Sequence, residues 1–173
     1  MSNPNQSNQN QSSQNQVKYV PSGTGPAYVG PGDRMTYVIT GAETGGAFFM
    51  AEVSVVPGGG PPPHIHSRED EAFYVQQGTL VAQVGEQTLN LSAGDFVFLP
   101  RGVAHSFKNV GEETARLLTI ITPAGLENYF AEVFFPPSDA ADIPEIGPAV
   151  IARALKTAPK YGLELLRPAM AQH

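Results

Sequence analysis

The chain has 173 residues, enough for one domain with a tail, and its 16 acidic and 10 basic residues give a net charge of −6. That balance argues against a protein that grips nucleic acid through a basic patch, and the absence of cysteine excludes disulfide frameworks, thiolate metal sites, iron–sulfur clusters and cysteine nucleophiles. No apolar run approaches the ~18 residues of a membrane helix and no secretory leader opens the chain, so a cytoplasmic protein with no membrane partner is expected.

Fourteen of the first 16 residues are Asn, Gln or Ser. Such a segment has almost no apolar surface to offset the entropy of ordering, so residues 1–17 are expected to be a disordered tail. From 18 to 123 the chain reads as short strands with glycine or proline in the gaps. AFFMAEVSVV (47–56) is rich in aromatic and β-branched residues. DEAFYVQQ (70–77) alternates, with Glu71, Phe73 and Val75 on one face. TLVAQV (79–84) and QTLNL (87–91) flank the two-residue turn Gly85-Glu86. DFVFL (95–99), HSFKNV (105–110) and TARLLTIIT (114–122) follow, with nothing helical expected between them. This pattern predicts an all-β barrel or sandwich and argues against a parallel βαβ sheet.

After residue 122 the period changes. Thr122 is expected to cap a helix that begins at Pro123 and carries Leu126, Tyr129, Phe130, Val133 and Phe134 on one face until Pro136-Pro137. A second helix is expected from Pro148, with Val150, Ile151, Ala154 and Leu155 on one face and Pro159 at its end. Residues 124–173 therefore form a helical extension that must cover its apolar stripes on the barrel or on a partner. A homodimer is expected, since twofold pairing is the commonest closed symmetry.

Three of the four histidines fall at 64, 66 and 105. Residues i and i+2 of a strand face the same way, so His64 and His66 aim two imidazoles at one point. A carboxylate and a third imidazole from neighbouring strands would close a cation cage. Three imidazoles and one carboxylate suit a divalent first-row transition metal (Fe, Mn, Co, Ni, Cu or Zn) rather than Ca²⁺ or Mg²⁺. Four protein ligands leave coordination positions open.

The residues Gly58, His64, His66, Glu71 and Gly78 spell G-x5-H-x-H-x4-E-x6-G. Gly94, Pro100, Gly102, His105 and Asn109 spell G-x5-P-x-G-x2-H-x3-N. On these residues the chain resembles the cupin superfamily, which implies a jelly-roll β-barrel of two antiparallel sheets followed here by short α-helices. It also implies that His64, His66, Glu71 and His105 are metal ligands, and that the motif glycines and Pro100 are turn residues. The stretches GGGPPPHIHSREDEAFYV, GDFVFLPRGVAHSFKN, TPAGLENYF and KYGLEL look like single-barrel bacterial cupins of the quercetin 2,3-dioxygenase-like group. That resemblance implies a metal-dependent dioxygenase that takes a flavonol or related enol as small-molecule substrate together with O₂. Glu71 would accept the enol proton, and the central ring would open with loss of carbon monoxide.

Two other classes share these motifs: an isomerase or lyase acting on a sugar or keto acid, and a non-enzymatic metal- and small-molecule-binding barrel. A neighbourhood rich in Phe (Phe73, Phe96, Phe98, Phe107) argues against a sugar, although these rings also serve as barrel packing. Arg68 and Arg101 flank the ligands in sequence and are candidates for greeting an anion, or simply for solvation. Ser67-Arg68-Glu69-Asp70 reads as a polar loop near the metal, Asn109 as a strand-end hydrogen bonder, and His173 as a free chain end.

Overall fold

Strands whose alternate side chains are apolar bury one face against a second layer. In the computed structural model, which describes residues 17–30, 32–137 and 147–166, this pairing of layers organises the chain. The strands are β1 (Ala27–Gly30), β2 (Asp33–Ile39), β3 (Phe49–Val55), β4 (His64–His66), β5 (Asp70–Gln77) and β6 (Thr79–Val84). They continue with β7 (Gln87–Ser92), β8 (Phe96–Leu99), β9 (His105–Asn109), β10 (Ala115–Thr122) and β11 (Leu163–Leu165). The helices are α1 (Gly41–Thr44), α2 (Glu127–Val133) and α3 (Pro148–Thr157), the last followed by a 3₁₀ turn at Ala158–Tyr161.

One sheet has the order β1-β2-β3-β10-β5-β8 and the other β11-β4-β9-β6-β7. All pairings are antiparallel, and the crossing of β3, β10 and β5 is the jelly-roll order of a cupin barrel. The β6–β7 hairpin turns at Gly85, whose φ of 56° suits a residue without Cβ. The interior divides into two clusters. One joins the sheets through Val53, Phe73, Leu80, Leu99, Phe107 and Leu117. The other joins Tyr37, Phe49 and Ile121 to Leu126, Tyr129 and Val133 of the α2 region.

Two sequence expectations change here, and a third is decided between its two alternatives. A one-turn helix, α1, interrupts the strands, nucleated by a capping box between Thr40 and Glu43. The helix expected from Pro123 starts only at Glu127, because β10 stays paired with Asp70 as far as Thr122 and Gly125 adopts φ 140°, outside the helical region. Glu127 is buried, and its carboxylate accepts the N–H groups of Gly41 (2.8 Å) and Gly125 (2.7 Å), which ties the start of α2 to α1. Finally, the α2 stripe gives no ground for a partner chain: Leu126, Tyr129 and Val133 are buried on their own barrel.

The second helix starts at Pro148 as expected. Of its apolar face, Ala154 is buried, whereas Ile151 and Leu155, which border the cavity described below, are half exposed. Gly162, at φ 74°, then turns the chain into β11, which pairs with β4. The expected tail apart from Val17, and His173, lie outside the described residues. Among the described residues no helix is long and apolar enough to cross a membrane.

Candidate metal centre

β4 is only three residues long, and it buries both of its histidines while Ile65 faces the other way. The prolines 61–63 before it lack N–H groups, so beyond His64 the ladder continues only through the Pro63 carbonyl, which accepts from Leu166 N–H at 2.8 Å. On one side His64 pairs with His105 of β9, and on the other Leu163 and Leu165 of β11 pair with His66 and His64. Glu71 arrives from the facing sheet, on the same inward side of β5 as Phe73 and Val75. His64, His66, Glu71 and His105 thus meet, with one potential ligand atom from each lying within 4.8 Å of all the others. The motif glycines Gly58, Gly78, Gly94 and Gly102 all have positive φ and turn the chain between these strands.

Hydrogen bonds orient two of the rings. His64 Nδ1–H donates to the Pro62 carbonyl at 2.8 Å, and His105 Nδ1–H donates to the Val103 carbonyl at 2.9 Å. A carbonyl can only accept, so each bond assigns the proton to Nδ1 and leaves Nε2 for the cluster. Glu71 Oε1 accepts from the Thr119 hydroxyl at 2.8 Å. Its Oε2 lies 3.2 Å from His105 Nε2 and 3.5 Å from His66 Nε2. Both ring nitrogens of His66 are buried without a hydrogen-bond partner among the described residues. A knot of acceptor atoms facing one another calls for positive charge at its centre, which a metal ion supplies or, without one, a second proton on His105 that Glu71 Oε2 accepts, and the unpaired His66 nitrogen fits a metal ligand. The cluster can therefore hold a metal ion, and imidazole with carboxylate is a transition-metal donor set.

The electrostatics suit that use. Burial, reinforced by the neighbouring imidazoles, pushes His64 down to about 3. Burial also lowers His66. Burial alone would raise Glu71, but the His105 hydrogen bond and the surrounding imidazoles prevail and hold it at about 2. His105 is lowered by burial but raised on balance by Glu71. Burial raises Glu69, against the pull of Arg68 and Arg101.

His64, His66 and Glu71 lie on the wall of a cavity of about 950 Å³ that runs between the barrel and the α2–α3 segment. Phe73, Phe107 and Leu117 line it from the barrel, and Tyr129, Phe130 and Ile151 from the helices. Asp33, on the inward face of β2 with Met35, also lines it, and burial raises its carboxyl to about 7. Phe96 and Phe98 do not belong to this cavity. The register of β8 on β5 sets Leu99 beside Glu71 and Val97 beside Phe73, so the two phenylalanines point outward and are 62% and 56% exposed.

Neither flanking arginine reaches the cavity. Arg101 grips Asp70 through Nε and a terminal nitrogen (3.1 and 2.8 Å), and Arg68 donates to the Lys160 carbonyl at 3.2 Å. Asn109 is buried, and its amide donates to the carbonyls of Val55 and Glu113, both at 2.8 Å. Sequence reasoning missed Thr119. Its signal was a hydroxyl at an inward position of β10, between the buried Leu117 and Ile121.

Residues 51–121 match the family model described as a cupin domain. The jelly-roll fold and both motifs agree with this match, so this part of the chain is a cupin domain. Among curated relatives, quercetin 2,3-dioxygenase of Aspergillus japonicus is 34% identical over 101 residues, covering 54% of this chain and 29% of the relative. Germin-like protein subfamily 1 member 4 of Arabidopsis thaliana is 31% identical over 142 residues, covering 75% and 62%. The matched stretches span less than two thirds of these relatives' own length. Among solved structures, the polyketide cyclase RemF of Streptomyces resistomycificus superposes with a TM-score of 0.55 at 25% identity, covering 62% of this chain and 80% of that one.

Proposed function

We propose that His64, His66, Glu71 and His105 hold one divalent transition-metal ion, and that the chain is a dioxygenase cleaving a flavonol or related enol with O₂. The observation that carries this reading is the convergence of three imidazoles and one carboxylate within 4.8 Å, beside a large and mainly apolar cavity. A metal ion in such a site offers Lewis-acidic positions that acidify a bound enol. The chain's own residues supply the rest. Glu71 is the proton acceptor, with Oε1 held by Thr119 and Oε2, which faces His105 and His66 at the centre, the oxygen that receives the enol proton. A carboxylate held at about 2 takes a proton only from a strongly acidified donor, which limits its action to substrate bound at the centre. Phe73 and Phe107, packed edge to face at 5.1 Å, give a flat aromatic substrate an apolar wall. Similarity to the Aspergillus japonicus enzyme supports the same substrate class.

Chelated protein should rebind about one equivalent of metal per chain, and the double variant His64→Ala/His66→Ala should lose it. An oxygen electrode with quercetin then reads turnover, which in Glu71→Gln should fall by roughly 100-fold or more while the metal largely stays. Full metal retention in the double variant would overturn the ligand set, and unchanged turnover in Glu71→Gln would remove Glu71 from the mechanism. A second reading, cyclisation of an aromatic polyketide, draws on the likeness to RemF and on a cavity large enough for fused rings. Metal binding and conversion of such a substrate without oxygen uptake would favour it. The apolar cavity wall weighs against a sugar isomerase.

A further inference from the structure

The three imidazoles of the cluster are not supported alike. His64 and His105 each donate Nδ1–H to the carbonyl two residues earlier, at 2.8 and 2.9 Å. His66 has no such bond. Its own carbonyl is taken by Gly102 N–H, and its Nδ1 is buried without a hydrogen-bond partner among the described residues. The carboxylate oxygen facing that nitrogen is Glu69 Oε2, at 3.9 Å. Glu69 is 4% exposed, and this oxygen likewise has no partner. A buried donor and a buried acceptor, both unpaired, each carry a desolvation cost that a shift of about 1 Å would remove for both.

We propose that Glu69 is the positioning residue of His66: its Oε2 accepts the Nδ1–H of His66 and thereby aims Nε2 at the cluster. The assignment rests on the reading of that cluster as a metal site. A ring that ligates through Nε2 must carry its proton on Nδ1, which turns His66 into the donor that Glu69 lacks. A carboxylate in this place also raises the basicity of the imidazole more than the backbone carbonyls behind His64 and His105 do. The polar loop between β4 and β5 thus has a task, with Ser67 and Arg68 bonding outward to Gly162 and Lys160, as Asp70 at the start of β5 does to Arg101, while Glu69 turns inward.

The test is Co²⁺ binding to the full chain, followed by competition with a chelating dye and by the visible d–d spectrum, for wild type, Glu69→Ala and Glu69→Gln. Glu69→Ala should bind about 10- to 100-fold more weakly with an altered spectrum, and Glu69→Gln, which keeps an acceptor but not the charge, should fall between. Affinity within about twofold of wild type and a superimposable spectrum in both variants would overturn the assignment. So would a lower melting temperature of the metal-free variants with cobalt binding unmoved, since that is the mark of a purely structural role. If Glu69→Ala fails to fold, Glu69→Gln carries the comparison alone. A wild-type chain that binds no Co²⁺ would instead refute the metal site itself, and this inference with it.

Discussion

Replacing Thr119 with valine tests the electrostatic account of Glu71 without touching a proposed ligand. The two side chains are nearly isosteric, and Thr119 is 1% exposed, so the substitution removes one hydroxyl and little packing. That hydroxyl donates at 2.8 Å to Glu71 Oε1, and a buried hydrogen bond to an ionised group contributes about 1.5–3 kcal/mol. Each pKa unit corresponds to ~1.4 kcal/mol, so the Glu71 carboxyl should rise by roughly 1–2 units. The sign follows from linkage. Glu71 is depressed from 4.5 to about 2, so its ionised form adds stability above pH 4.5 that is lost as pH falls towards 2. Weakening that form should cost the full amount at pH 7 and roughly a quarter to a half less at pH 3. Urea unfolding of the chelator-treated protein at both pH values measures this difference. An equal loss at pH 7 and pH 3 would refute the claim that Thr119 stabilises a carboxylate.

The carboxyl of Asp33 shifts the opposite way, from 3.8 up to about 7, so its ionisation costs stability as pH rises through that window. Asp33→Asn should therefore gain on wild type by about 1–2 kcal/mol between pH 4 and pH 8, the figure being reduced because the side chain borders the open cavity; a pH-independent difference in urea midpoints would contradict this. Leu117, fully buried between the two sheets, should cost about 2–5 kcal/mol when cut to alanine, read by chemical denaturation at constant m-value. A loss below about 1 kcal/mol would mean that the core closes around the gap or that Leu117 is less central than its burial indicates.

Much of the barrel is legible in one dimension. Alternation locates DEAFYVQQ and TLVAQV residue for residue as β5 and β6, and the motif spacing is what lets four polar side chains from β4, β5 and β9 meet. Period alone could not orient Phe96-Val97-Phe98-Leu99, where both alternating sets are apolar. Only pairing with β5 turns Val97 and Leu99 inward. Nor did local pattern reveal that Leu163–Leu165 would return across the chain to lie against β4, or that Ile151 and Leu155 would roof a cavity. The helix start moved from Pro123 to Glu127 because a strand pairing, set by residues some 50 positions earlier, outlasted the local helix signal. Thr119 and Glu69 were in plain view as letters, a hydroxyl in an apolar strand and an acid in a polar loop. Their roles depend on which atom lies across a few ångströms of dry interior. Repeating local patterns determine strands and the faces they can bury, whereas long-range register and the desolvation of particular polar atoms are decided only when the sheets close on one another.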